Sequence, residues 1–163
     1  HVIGKGIALF RTARRRRLEG IVGKRRAAPY VERRSADWVK IKVGYEQEAV
    51  VGGWTDPRAS RVGLGALLVG TYEGRSLRYA GSVGTGFDAK TLQDLRRKLD
   101  PLRSDRCPFE PVPRVRAHWV EPRLVAQVRF EEWTDAGLMR QPVFLGLRDD
   151  KAPRDVVRER SSR

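Results

Sequence analysis

One cysteine and two histidines occur in 163 residues, and those scarcities exclude several chemistries at once. Cys107 has no partner for an internal disulfide, and no thiolate-based metal cluster can be assembled, so a reducing cytoplasm is the natural setting. His118 lies beside Trp119 with no second His or Cys near it, and reads as a half-buried strand residue. No apolar run approaches the roughly 18 residues that span a bilayer, and no signal peptide is visible. The chain opens on His1 rather than Met, which leads us to expect the tail of a longer product. Acids are also short: 20 Asp and Glu face 34 Lys and Arg, for a net charge of +14 and a pI near 10.9. That balance predicts a polyanionic partner, although an arginine-rich, high-GC genome accounts for part of it. Basic residues spread through strands and loops favour nucleic acid over a membrane surface.

What the chain does contain suits one ordinary domain, or a small domain plus a fragment. Lys5 to Arg17 can form a helix, with Ile7, Leu9, Phe10 and Ala13 as a rough apolar face and Arg14 to Arg17 at the end the helix dipole favours for cations. Leu18 to Lys24 turns extended, and 25–37 reads as a loop. Trp38 to Val43 alternates: Val39, Ile41 and Val43 share one face, and Trp38, Lys40 and Lys42 the other. Further strands are expected at Glu48–Trp54, Leu67–Tyr72, Leu77–Val83, His118–Val120, Leu124–Trp133 and Val143–Leu147. Leu92, Leu95 and Leu99 recur at helical spacing within a helix over about Ala89–Leu99. The Pro-rich passage from Pro101 to Pro113 reads as irregular connection, and Ala152–Arg163 as a frayed polar tail. Short strands with one inserted helix predict a mainly β fold, a small closed barrel of the OB type.

Three stretches carry chemistry. Lys40 and Lys42 project side by side from a strand, roughly 7 Å apart. A solvated or lysine-guarded edge explains the pair; Trp38 on the same face points instead to a walled pocket with an anion between the ammonium groups. One such charge 4 Å from a phosphate oxygen is worth roughly 4 kcal/mol at an effective dielectric of about 20, before desolvation. Glu19 follows the arginine run and suits either a salt bridge to it or a hard oxygen ligand for Mg²⁺, which takes few carboxylates and leans on substrate phosphates. Arg148-Asp149-Asp150-Lys151 is either a plain turn or a mobile phosphate clamp in which Asp150 holds Arg148. Gly84, Thr85 and Gly86 precede the second helix. They lack the Lys-Ser/Thr ending of a Walker loop and read first as a tight turn, with a DNA phosphate contact as the minority reading.

Taken in order, Glu19-Gly20-Ile21-Val22-x-Lys24, Trp38-Val39-Lys40-Ile41-Lys42, and Arg140-x-Pro142-x-Phe144 continuing to Arg148-x-Asp150-Lys151 resemble motifs IV, V and VI of the ATP-dependent DNA ligases. The text between them, including Val50-Val51-Gly52-Gly53-Trp54 and Gly81-Ser82-Val83-Gly84-Thr85-Gly86-Phe87, is most similar to the bacterial ligase D group of nonhomologous end joining. The resemblance spans about Leu18 to Lys151. It implies that residues 1–44 are the end of a nucleotidyltransferase domain, a helix plus a strand pair, and that 45–151 are an OB-fold domain followed by a tail at 152–163.

The resemblance also implies roles. Glu19 would help hold Mg²⁺ (or Mn²⁺). Lys40 and Lys42, with Lys24, would contact ATP at its α-phosphate and then the adenylate. Arg148 and Lys151 would orient the β- and γ-phosphates, with Trp38, Arg140 and Asp150 in support. The OB domain would swing about a hinge near Val43 to Gln47. The partner would be double-stranded DNA with nicks or ends, and by resemblance Ku, for a monomeric bacterial protein in the cytoplasm at the nucleoid. Gln141 departs from the His usual in ligase D proteins. No Lys-x-Asp-Gly occurs, so the lysine that becomes adenylated is missing and the chain alone is expected to be inactive in self-adenylation. A stand-alone OB nucleic-acid module and a capping-type nucleotidyltransferase are the alternatives.

Overall fold

Residues 49–54 are apolar or glycine throughout, a pattern that suits a strand covered on both faces. The structure, a computed structural model, describes residues 2–16, 18–29, 31–33, 35–57 and 63–159. It divides the chain into two compact units, 1–44 and 45–163. Arg17, the end of the expected first helix, and 160–163, the end of the expected tail, lie outside the described residues. No helix among those described is long and apolar enough to cross a membrane.

The second unit is a six-stranded antiparallel sheet that curls on itself. Its strands are β3 (Tyr45–Trp54), β4 (Leu67–Glu73), β5 (Ser76–Val83), β6 (Arg103–Ser104), β7 (His118–Phe130) and β8 (Val143–Leu147). The path runs β5-β4-β3-β7-β6, with β8 also on β7. Closure comes where the end of β5 meets β8. Thr85 bridges Val143 in parallel, and the Phe144 N–H donates to the Thr85 carbonyl at 2.9 Å. The fold is therefore mainly β, a partly open five-stranded barrel with the two-residue β6 added.

Its one α-helix, Ala89–Leu99, joins β5 to the second half of the barrel. Asp88 caps it by accepting from the Thr91 N–H at 2.7 Å, and Leu92, Leu95 and Leu99 are buried. These leucines pack with Ala49, Val51, Leu67, Val69, Val83 and Val128 on one side of the sheet. The intervening residues Val50, Leu68 and Val125 pack with Phe109 and Val156 on the other. The period of two thus feeds two cores from the same strands.

Four expectations change. First, the Pro-rich passage is not all irregular: Arg103 and Ser104 pair with Val120 and Trp119, and Phe109 is fully buried. Gly52 and Gly70 make room for it. A methyl group on Gly52 would overlap Cζ of Phe109 and lie 2.9 Å from Pro108, and one on Gly70 would lie 2.8 Å from the Phe109 ring. Second, the strands expected on either side of Pro122 are one strand. The register jumps from Val51↔Leu124 to Gly53↔Trp119, so the bulge absorbs the residues around Pro122 and no ladder bond is asked of it. That strand ends at Phe130, short of Trp133.

Third, the tail does not fray over 152–159. Val156 is 1% exposed, and its carbonyl accepts from the Tyr72 N–H at 2.7 Å. The buried Gln47 amide donates to the Val157 carbonyl and accepts from the Glu159 N–H, both at 2.9 Å. Fourth, Tyr45 to Gln47 already belong to β3, paired with Phe130 to Val128. Of the expected hinge, only Val43 and Gly44 lie outside a strand.

The first unit holds a helix, α1 (Gly6–Arg15), and a hairpin of β1 (Gly20–Lys24) with β2 (Trp38–Lys42). Among the described residues, its buried hydrophobic side chains are Ala13 and Val43. Ile7 leaves the expected apolar face. It is 74% exposed because helical spacing aligns it with Arg11 and Arg14, on the side away from Leu9 and Ala13.

Candidate functional site

The β1–β2 hairpin gathers the sequence candidates of the first unit. Its register sets Lys24 opposite Trp38, Val22 opposite Lys40, and Gly20 opposite Lys42. Directly opposed residues share a face, so Lys24, Trp38, Lys40 and Lys42 project from one side. The Lys24 ammonium sits 3.8 Å from the Trp38 ring centroid, a cation–π contact that fixes the aromatic wall. Glu19, just ahead of β1, places its Oε1 2.5 Å from the Lys40 Nζ. Glu19 and Lys40 therefore meet beside the hairpin, and Lys42 projects from the same face as Lys40. A shallow groove runs along this face between Val22, Trp38 and Lys40 on one side and Val31, Glu32, Arg33, Ser35 and Ala36 on the other.

Gly20 is what lets the chain enter this way. A side chain there would overlap the Ile41 carbonyl oxygen and stand 2.8 Å from the Lys42 Cα. Only glycine brings the backbone after Glu19 flush against β2. Sequence reasoning quoted Gly20 as part of a motif without seeing this steric reason.

The remaining candidates stand on the barrel. Arg148 follows β8, and its guanidinium is fully engaged. Nε and Nη2 donate to the two oxygens of Asp150, each at 2.7 Å, while Nη1 reaches Gln127 at 3.1 Å and Glu48 at 3.4 Å. Such a forked pair is strong and directional. The hydrogen bond from Arg148 holds the Asp150 carboxyl well below its usual range, at about 2, with Lys151 adding a smaller Coulombic pull. The Arg148 pKa is raised in turn, first by the hydrogen bond to Asp150. Glu48 and Gln127 were missed as partners. Both are legible only once β3 and β7 are paired, because the register sets them opposite each other.

Arg140 pairs with Glu132 at 2.7 Å across the loop between β7 and β8. The next residue, Gln141, is the one non-glycine with positive φ (49°) among the described residues. Gly84, Thr85 and Gly86 serve closure of the barrel. A methyl group on Gly86, at φ +91°, would overlap the Phe144 carbonyl and lie 2.7 Å from its nitrogen, and Phe87 stacks on Phe144 at 4.9 Å. The helix N-terminus behind them is filled by the Asp88 carboxylate, which leaves little there for a phosphate.

Two further expectations can be placed. His118 stacks on Trp54 at 5.2 Å and bonds Asp56 at 2.7 Å; the pair lowers the Asp56 pKa, through the hydrogen bond to His118 before all else. Burial pushes the Cys107 thiol up, so this residue is a packed side chain and not an activated nucleophile. Among the described residues no three His, Cys, Asp or Glu side chains group as a ready metal site. A hard cation beside Lys40 would find the Glu19 carboxylate, with Glu32 across the groove, and would have to draw most of its ligands from phosphates and water. That is the habit of Mg²⁺ and not of a protein-caged metal.

Residues 60–151 match the family model for the ATP dependent DNA ligase C terminal region. The chain is 45% identical over 150 residues to the multifunctional non-homologous end joining protein LigD of Pseudomonas aeruginosa, covering 88% of this chain and 18% of that protein. It is 43% identical over 162 residues to the multifunctional non-homologous end joining DNA repair protein LigD of Mycobacterium tuberculosis, covering 96% and 21%. Among solved structures, the ligase domain of M. tuberculosis LigD matches with a TM-score of 0.69 at 42% identity, over 94% of this chain and 52% of that one. A mycobacterial DNA ligase D complexed with ATP and MES matches with a TM-score of 0.66 at 42% identity, over 94% and 51%. The chain thus spans about a fifth of the curated relatives it matches. With more than half of its length inside that family model and a barrel of the matching fold, this chain belongs to the ATP-dependent DNA ligases, as their C-terminal region.

Proposed function

We propose that this chain is the C-terminal part of a ligase D-type enzyme that seals DNA breaks in end-joining repair by way of enzyme-adenylate and DNA-adenylate intermediates. The observation that carries the reading is the Glu19–Lys40 pair on a hairpin whose same face holds Lys42 and the Lys24–Trp38 pair. Two ammonium groups, one carboxylate and an aromatic wall are what a nucleotide's phosphate and its counter-cation require. The mycobacterial relative complexed with ATP supports ATP as the nucleotide.

In this reading Lys40 and Lys42 bind the α-phosphate and stabilise the charge that grows on its oxygens as pyrophosphate departs. Lys24 adds a third fixed cation on that face. Glu19 is this chain's contribution to Mg²⁺ (or Mn²⁺); the ion, when bound, neutralises phosphate oxygens and polarises the reacting phosphorus. Arg148 and Lys151 orient the β- and γ-phosphates, and Asp150 presets the guanidinium. For Arg148 to do so, a phosphate takes over the forked bond that Asp150 now receives. The nucleophilic lysine is supplied by a segment outside this sequence, and the DNA is double-stranded with nicks or ends. Ku as a partner and a monomeric state at the nucleoid extend the same reading.

Labelled ATP with Mg²⁺ tests it. The chain alone should form no lysine adduct. Fused behind the first half of the M. tuberculosis LigD ligase domain, it should become labelled and transfer adenylate to nicked duplex. A fusion that folds, binds ATP and stays unlabelled would remove the ligase reading. It would leave the barrel as a binding module, for which a preference for single strands over nicked duplex is the mark.

A further inference from the structure

The excess charge of the molecule is not shared evenly. Residues 1–44 carry thirteen Lys and Arg against three acids, whereas 45–163 carry twenty-one against seventeen. Two of those three acids are engaged, Glu19 by Lys40 and Asp37 by Arg25. The arginines of α1 have no such relief. Arg11, Arg14 and Arg15 stand at i, i+3 and i+4 and are exposed. None of them, nor Arg16, takes part in an ion pair among the described residues. The one side-chain bond in the group runs from Arg15 to Thr12 at 3.4 Å. Like charges at these spacings destabilise a helix, so this face holds a repulsion that a bound polyanion would remove.

We propose that this arginine face of α1 is a docking surface for the phosphate backbone of duplex DNA, additional to the nucleotide-phosphate face of the β1–β2 hairpin. The occupant follows from what else the face carries. Arg11 and Arg15 are about 6 Å apart along the helix axis. Their long side chains can follow a backbone that sets one charge about every 3.4 Å along each strand. The one aromatic side chain beside the face, Phe10 next to Arg14, is half-buried, so it offers no open platform for stacking the bases of a single strand. No Asn or Gln lies on it to read base edges, so the contact is independent of sequence. A membrane-lying helix needs a broad free apolar face. Here Leu9 and Ala13 lie on the opposite side, where Ala13 is buried, Phe10 is half-buried at the edge, and Ile7 is the exposed apolar residue on the cationic side. The choice of DNA as the polyanion rests on the joining function proposed above; the phosphate-binding face does not.

The test uses the whole 163-residue chain and a blunt duplex, with affinity followed by anisotropy over about a fourfold range of salt. The triple variant R11Q/R14Q/R15Q keeps good helix formers while deleting three charges. It should bind more weakly, and its log–log salt slope should be shallower by about 2.7, or roughly 0.9 per phosphate released. The triple Arg→Lys variant should retain the parent slope, and Lys40→Ala should retain the part of the slope due to α1. Amide exchange on the parent chain guards against misfolding of the variants: DNA should protect residues 6–16. Slopes equal in the parent and the glutamine variant, or protection confined to the barrel, overturn the proposal. So does binding to phosphatidylserine vesicles that the glutamine variant loses while its DNA slope is unchanged. If the fusion enzyme fails to take up adenylate yet these slopes differ as stated, the ligase reading falls and the phosphate dock remains.

Discussion

Residues 1–44 and residues 45–159 are built on different principles. The barrel buries large side chains on both faces of its sheet, down to the fully enclosed Phe109. The helix and hairpin before it bury almost nothing, and Ile7, Val22, Val39 and Ile41 stay exposed. Conversely, the barrel nearly balances its charges, seventeen acids against twenty-one Lys and Arg, and the leading unit concentrates cations. The difference teaches that the barrel contains its own source of stability. The hairpin instead leaves Val39 and Ile41 open on one face and gathers cations on the other.

Truncations in each unit sharpen this contrast. Phe109→Ala should cost about 3–5 kcal/mol in urea unfolding, because Gly52 and Gly70 leave nothing to fill the space. Ile41→Ala on the hairpin should cost no more than about 0.5 kcal/mol, as expected of an exposed side chain. Equal losses would erase the distinction. Gly86→Ala attacks the barrel at its closure and should cost about 1–3 kcal/mol through overlap with the Phe144 backbone, seen as a lower Tm with nucleotide binding intact. Gln47→Ala, which strands the Val157 carbonyl and the Glu159 N–H, should cost about 1–3 kcal/mol. It should also speed proteolysis of the last dozen or so residues; an unchanged cleavage rate would mean the strap is not held by this amide.

The smallest effect is electrostatic. Asp150 is depressed in the folded state, so its contribution to stability is present above the ordinary carboxylate pKa of about 3.9. It is lost as pH falls toward about 2, because protonation then costs the unfolded chain less than the folded one. Carboxyl resonances should show Asp150 titrating near 2, and Arg148→Met should return it to the usual range. A midpoint indifferent to that substitution would show that the forked pair does not form in solution.

Much of this was legible in the sequence, for identifiable reasons. The spacing of Leu92, Leu95 and Leu99 marked the second helix, and the apolar run Val143–Leu147 marked β8 to the residue, because each pattern is local. The alternation of Trp38-Val39-Lys40-Ile41-Lys42 placed both lysines on the aromatic face. What escaped was non-local. Pro122 broke a strand on paper that a bulge opposite Gly52 carries through. The polar tail concealed Val156, which is buried, and the bonds from Gln47 and Tyr72 that hold the residues around it. Glu48 and Gln127 became partners of Arg148 only through strand register. The glycines show the same limit: Val50-Val51-Gly52-Gly53-Trp54 carried a family likeness, yet its content is structural, with Gly52 under Phe109 and Gly53 against the His118 carbonyl, 2.7 Å from where a methyl group would sit.

The central claim is that the cationic face of β2 handles a nucleotide's α-phosphate, and single-turnover adenylation of the fused enzyme tests it most directly. Lys42→Ala should slow label incorporation by about 10²–10³-fold, the loss expected of one preorganised charge contact, while Arg114→Ala on the barrel leaves the rate unchanged. Incorporation at the parent rate in the Lys42 variant would return these lysines to an ordinary solvated strand face.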